Sequence, residues 1–361
     1  MNTIKLAVHS SIYNCELEFK HRLNIIIGDS GVGKTSLVDI LNVPSPQTQI
    51  KYTYPVVIAG YTTWKSSIQT ERNSLIIFDD LNIVESDEFS DLISKYLIKS
   101  NLYVLIISRA IMPKISTLSY SIHAIYEMYY DETLINHYIR EYYHKLLPEI
   151  DTLLNSEIPI CYITEDTTAG YQFFKTLIDK NDVYHSTSGK STMIRDTKEK
   201  LSTSAVVNII DTAAYGCHIE EFVKLTKYSI NPVTLLYDFE CFEEVLVRSN
   251  LLNDNVVVQK ELNDLPKYAN QFKSWENYFQ DLLLRVTKGK LWKQSHGDSK
   301  LNKCFLINCI DCNEYKRLKC SKAQITDKFE FLLKGTKFEY LLKFRKSKQE
   351  QKDTTKTNFF S

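Results

Sequence analysis

The chain has 361 residues, 43% hydrophobic and 24% charged, a globular mixture rather than a disordered or fibrous one. Its formal net charge is zero, yet residues 285–361 carry 19 Lys/Arg against 8 Asp/Glu, a local excess of 11 positive charges offset elsewhere. No apolar run approaches a bilayer span and the first residues show neither a basic leader nor a cleavage signal, so a cytosolic (cytoplasmic) protein with no membrane partner is expected.

Taken in chain order, the first part reads as α/β. KLAVHS (residues 5–10) and CELEFK (15–20) are short alternating strands, best paired as a hairpin. LNIIIG (23–28) is a buried strand feeding a glycine-rich loop, and TSLVDIL (35–41) opens a helix. YPVVIAGY (54–61) and SLIIFDD (74–80) are further strands. SDEFSDLISKYLIKS (86–100) predicts an amphipathic helix capped by Ser86, with acids in its first turn. LYVLIISR (102–109) closes the series as another buried strand. Strands alternating with helices imply a parallel sheet, here an α/β domain over residues 1–130.

Residues 131–155, rich in tyrosine, read as a helical connector. A second α/β series occupies residues 156–270. Its strands are IPICYITE (158–165), DVYHS (182–186), SAVVNIID (204–211) and VTLLYDF (233–239), with helices over 169–179 and 218–225. Residues 271–345 form a basic, more helical region, and 346–361 read as a disordered tail. The basic end fits either a nucleic-acid partner or a solvated lysine-rich face. A homo-oligomer or a protein partner is also expected.

GDSGVGKT matches the phosphate-loop pattern in full: Gly28, four residues, Gly33, Lys34 and Thr35. Glycines let backbone N–H groups turn inward around a phosphate, and the following helix points its positive end at the same anion. The cofactor-binding set is therefore Gly28, Asp29, Ser30, Gly31, Val32, Gly33, Lys34, Thr35 and Ser36, with ATP and Mg²⁺ as cofactors. Lys34 would reach the β- and γ-phosphates, and the Thr35 hydroxyl would ligate Mg²⁺. Asp79, ending an apolar strand 44 residues after Thr35, supplies the second Mg²⁺ ligand. Asp80 is placed to polarise the attacking water, and Arg109 either senses the γ-phosphate or is a surface arginine. A guanine-reading NKxD motif is not visible after a later strand of this sheet, which favours ATP.

The hairpin, the LNIIIGDSGVGKTSL stretch and LIIFDDL followed by LYVLIISR resemble the ABC-type ATPases over roughly residues 1–115. No LSGG-like signature lies between Thr35 and Asp79, so the dimer in which that segment caps a partner's ATP is not expected.

Three acids end strand-like runs of the second series: Glu165, Asp211 and Asp238. In a parallel sheet such ends share one edge, where carboxylates can converge on a divalent ion. The arrangement resembles the Toprim fold, and the domain order resembles ATPases of the overcoming-lysogenization-defect type. That resemblance implies a metal-dependent nuclease gated by ATP, with Glu165, Asp211 and Asp238 holding Mg²⁺, used in phage defence or DNA processing. The family's paired acids follow a D-x-D pattern, and here Ala213 stands in place of the second acid. A degenerate fold acting as a sensor or scaffold is the other reading, and helix caps or polar strand ends are the plainest role for these acids. The small-residue turn DTAAYG also suits a close backbone approach, as to a phosphate.

Cys304, Cys309, Cys312 and Cys320 crowd into 17 residues and contain one C-x₂-C knuckle. They read either as a Zn²⁺ site or as buried thiols of a strand.

Overall fold

The computed structural model describes residues 3–109, 120–142, 153–155, 157–166, 169–178, 183–185, 190–236, 238–287 and 328–345. Two compact units divide the chain: Met1–Lys145 with Thr212–Glu220 and Asp264–Tyr278, and Leu146–Asp211 with Glu221–Asn263 and Phe279–Ser361. Beside the expected ranges, 1–130 and 156–270, this division places two later segments, Thr212–Glu220 and Asp264–Tyr278, with the first unit. The tail and the cysteine cluster lie outside the described residues.

In the first unit, β1 (Ile4–His9) and β2 (Asn14–Phe19) form the expected antiparallel hairpin. Their burial alternates along the strand because Leu6, Val8, Cys15 and Leu17 face the core while charged neighbours face water. β3 (Leu23–Ile27) is buried at every residue and runs into the glycine loop, after which α1 (Lys34–Asn42) begins. β4 (Gln49–Tyr52), β5 (Val56–Ile58), α2 (Trp64–Thr70), β6 (Leu75–Asp79), α3 (Asp87–Tyr96) and β7 (Tyr103–Ile107) follow. The Ser86 side chain caps α3 by accepting from the Phe89 N–H at 3.2 Å, with Asp87 and Glu88 in the first turn. β8 (Ile125–Tyr130) and β9 (Asn136–Glu141) complete the sheet.

The nine strands are ordered β4-β1-β2-β9-β8-β3-β7-β6-β5. From β8 to β5 every neighbouring pair is parallel, and at the centre β3, β7 and β6 as far as Phe78 are buried apolar runs, as strands covered on both faces require. The sheet as a whole is mixed, which corrects the expected parallel one: β1 pairs antiparallel with β2 and β4, and β8 with β9. β9 also corrects the helical connector, since Asn136–Glu141 is a strand. Its residues pair with the preceding strand β8 and with the distant β2, and this tertiary pairing overrides the local helical pattern.

In the second unit, β10 (Ile160–Thr164), α4 (Ala169–Ile178), β11 (Val183–His185), α5 (Lys190–Lys200) and β12 (Ala205–Ile209) precede α6 (Ile219–Tyr228) and β13 (Val233–Leu236). All pairs in the order β11-β10-β12-β13 are parallel. α7 (Phe242–Val247) follows, and its Phe242 packs 5.0 Å from Phe173 of α4, while Phe174 stacks on Phe239 at 5.9 Å. Helix dominates among the described residues from residue 242 on, earlier than expected. Among the described residues, no helix is long and apolar enough to cross a membrane.

Candidate functional site

Because β3, β7 and β6 run parallel, the glycine loop, Arg109 and Asp79 all emerge at one edge of the first unit's sheet. There they line a cavity of about 130 Å³. Lys34, Thr35, Asp79, Asp80 and Arg109 face it, together with Ser30 and Gly33 of the loop. That volume is well below the roughly 300–1,000 Å³ of a whole small-molecule pocket, so it suits a phosphate tail rather than an entire nucleotide.

Lys34 is buried although it opens a helix, and its Nζ donates to the Gly28 and Asp29 carbonyls at 2.6 and 2.8 Å. Burial holds its pKa below the usual lysine range; the nearby Arg109 charge pushes the same way, while Asp29, Asp79 and Asp80 oppose it. Asp79 moves in the other sense. Burial, then Asp80 and Asp39, raise its pKa, and Lys34 opposes them. Two cations thus face three carboxylates, and the excess negative charge means that an anionic ligand needs a cation with it.

The loop's shape depends on its glycines. Gly31 and Gly33 have φ of +90° and +89°, in the left-handed region where a side chain is strained. Gly33 is also hemmed in: a Cβ there would lie 2.5 Å from His137 Cε1. His137 and Tyr13 brace the loop from outside, a role that sequence reasoning missed. Their rings stack at 4.1 Å, the Tyr13 hydroxyl donates to the Gly33 carbonyl at 3.1 Å, and His137 Nδ1 lies 3.1 Å from the Val32 carbonyl. A carbonyl can only accept, so Nδ1 carries the proton. Burial lowers the His137 pKa and raises that of Tyr13, keeping both neutral. Burial likewise pushes the adjacent Cys15 thiol up to about 12, so it is no nucleophile. Only the exposed-polar/apolar alternation of β9 hinted at His137, and that signal was lost in the apparent helix.

The donors around the cavity are of the kind that ATP and Mg²⁺ require. Mg²⁺ keeps several waters and takes one or two protein oxygens beside substrate phosphates. The Thr35 hydroxyl and the Asp79 carboxylate, both lining the cavity, meet that need. Lys34, whose ammonium donates to two backbone carbonyls, is placed to exchange them for phosphate oxygens.

The second unit treats its acids differently. Glu165 follows β10 and Asp211 follows β12, adjacent strands whose onward connections leave on opposite sides, so both acids flank the sheet's switch point. There the Glu165 carboxylate accepts from the Asp211 N–H at 3.1 Å, and the Asp211 carboxylate accepts from the Phe242 N–H at 3.2 Å. Asp211 thereby serves the first turn of α7, the capping role weighed for it. Asp238 contributes its backbone carbonyl, which accepts from Lys337 Nζ. Among the described residues no group of three or more His, Cys, Asp or Glu side chains could hold a metal ion, so the expected Glu165–Asp211–Asp238 site is not brought together. Cys304, Cys309, Cys312 and Cys320 lie outside the described residues.

DTAAYG does make a close backbone approach, but to Tyr120, through both its carbonyl and its ring. The Gly216 N–H donates to the Tyr120 carbonyl at 3.0 Å, and a Cβ on Gly216 would lie 2.3 Å from the Tyr120 ring. A larger cavity, about 350 Å³, opens at the start of β3 beside His21, Arg22, Tyr120 and Trp275. Its Arg22 is committed to structure, donating to the Leu102 and Asn270 carbonyls and lying over the Tyr103 ring.

A scan against protein-family models and a search of curated proteins found no match to this chain.

Proposed function

We propose that the first unit binds and hydrolyses ATP with Mg²⁺, and that its nucleotide state controls the second unit as a binding module for nucleic acid or a protein partner. The observation carrying the first half is the single cavity shared by Lys34, Thr35, Asp79 and Asp80. In this reading Lys34 neutralises the β- and γ-phosphate oxygens, while Thr35 and Asp79 hold the ion. The bound Mg²⁺ supplies charge neutralisation of the phosphates. Asp80 orients the attacking water. What favours a binding module in the second unit is that Glu165 and Asp211 are spent on backbone N–H groups. A metal-dependent, Toprim-like nuclease is the second reading, favoured by the same two acids standing at the switch point of a parallel sheet.

Equilibrium binding of fluorescent ATP, with Mg²⁺ and with chelator, tests the first half. Wild type should bind only with Mg²⁺, and Lys34→Ala should weaken binding at least roughly a hundredfold. Equal binding by both proteins would overturn the site. Incubation with DNA and RNA in Mg²⁺ or Mn²⁺ decides the second half. Cutting that vanishes in Glu165→Ala establishes the nuclease; uncut nucleic acid, with ATP bound, leaves the binding module.

A further inference from the structure

Arg109 and Asp80 leave an unexplained arrangement at the rim of the phosphate cavity. Asp80 has φ of +46°, a left-handed conformation uncommon for a residue with a side chain. Its N–H is tied to the Ile107 carbonyl at 2.9 Å, which fastens it to the end of β7 beside Arg109. Across that joint Arg109 Nε lies 3.7 Å from Asp80 Oδ2. Backbone outliers held in this way concentrate at functional sites.

The pair is built to be broken. The side chains are 76% and 54% exposed, and such ion pairs contribute about 0–1 kcal/mol. A guanidinium meeting phosphate oxygens makes shorter, paired, charge-assisted bonds. Arg109 and Lys34 also line one small cavity. A phosphate chain long enough to reach both would be held by both cations. Lys34, on the loop itself, serves the inner phosphates. Arg109 follows the neighbouring strand β7 and faces the same cavity from outside the loop.

We infer that Arg109 is the group that distinguishes a nucleoside triphosphate from a diphosphate, by exchanging its Asp80 partner for the γ-phosphate. The exchange couples recognition to chemistry. While paired, Asp80 is occupied by a cation; once Arg109 turns to the γ-phosphate, the Asp80 carboxylate is left to accept a proton from water. The water oxygen then bonds to the γ-phosphorus as the bridging P–O bond breaks. ADP departs with that electron pair, and the water's proton passes to Asp80. A diphosphate leaves the Arg109–Asp80 pair intact.

This inference rests on the ATPase reading, and the experiment separates the two. Affinities for ATP and ADP, each with Mg²⁺, are measured by calorimetry for wild type, Arg109→Ala, Arg109→Lys and Asp80→Asn, beside steady-state hydrolysis. Both side chains are largely exposed, so the variants are expected to fold. Arg109→Ala should weaken ATP about tenfold with ADP unchanged, and Arg109→Lys should restore part of the loss. Asp80→Asn should bind ATP as well as or better than wild type, since no ion pair must be given up, while hydrolysis falls at least about a hundredfold. Equal loss of ATP and ADP in Arg109→Ala, or no loss, overturns the inference alone. A wild type that binds neither nucleotide overturns the ATPase reading and the inference with it.

Discussion

Two parallel sheet edges in this chain carry acidic residues after apolar strands, and they put them to opposite use. At the first, Asp79 and Asp80 face a cavity shared with Lys34 and Arg109. Burial and a like-charged neighbour hold the Asp79 proton more tightly than normal. That is an arrangement bad for stability and good for a cation. At the second, Glu165 and Asp211 accept backbone N–H groups, and Glu244 is buried among the Glu240 N–H, Arg248 and Lys337. Here the charge is satisfied from within. An acid at a strand end becomes a site only where the fold withholds its partners.

The largest effect should come from breaking the first edge at its backbone. Gly33→Ala places a methyl 2.5 Å from His137 and strains a residue at φ +89°. We expect Mg²⁺-ATP affinity to fall at least about a hundredfold, and stability by roughly 2–3 kcal/mol in urea denaturation. An unaffected variant would mean that the loop does not hold nucleotide in this shape.

Much of that first edge was legible in the sequence. The loop, the apolar strands leading to Gly28, Asp79 and Arg109, and the Ser86 cap are all local patterns, in which a few adjacent residues determine the outcome. The fate of the second unit's acids was not legible. Asp211 meets the Phe242 N–H 31 residues away and Glu165 meets the Asp211 N–H 46 residues away, and nothing near either acid announces its partner. β9 was hidden for a similar reason. Its pairing with β2 joins distant parts of the chain, while Ile135, Tyr138 and Ile139 also fit the spacing of a helix face.

A pair of substitutions sharpens the contrast between the edges. Glu244→Ala, in the second unit, removes a buried carboxylate from Arg248 Nε at 2.6 Å and from the Glu240 N–H at 2.7 Å. It leaves buried donors unsatisfied, so stability should drop by about 3 kcal/mol. Asp79→Asn, in the first, removes a desolvated charge beside Asp80, so stability should stay within about 1 kcal/mol of wild type or rise. Mg²⁺-dependent ATP binding should nevertheless be lost. Calorimetric melting of both variants, with ATP binding for the second, checks this. A destabilised Asp79→Asn or an indifferent Glu244→Ala would reverse the assignment of functional and structural acids.

The smallest effect concerns the brace behind the loop, and its sign follows from proton binding. Burial lowers the His137 pKa below its ordinary 6.5. Between the lowered value and 6.5 the unfolded chain holds a proton that the folded one rejects, so stability rises with pH through that window and is lost as pH falls. Asp131, the acid that opposes the shift, has its own pKa lowered by Thr133 and Asn136 and stays charged there, adding no slope. His137→Phe keeps a ring against Tyr13 but cannot titrate. It should flatten the pH dependence of stability just below 6.5 by under about 1 kcal/mol, read from urea midpoints at successive pH values. A flattened slope with ATP affinity retained would make His137 a brace that packing alone sustains. Loss of affinity with the slope removed would show that its bond to the Val32 carbonyl, absent from phenylalanine, sets the loop for phosphate.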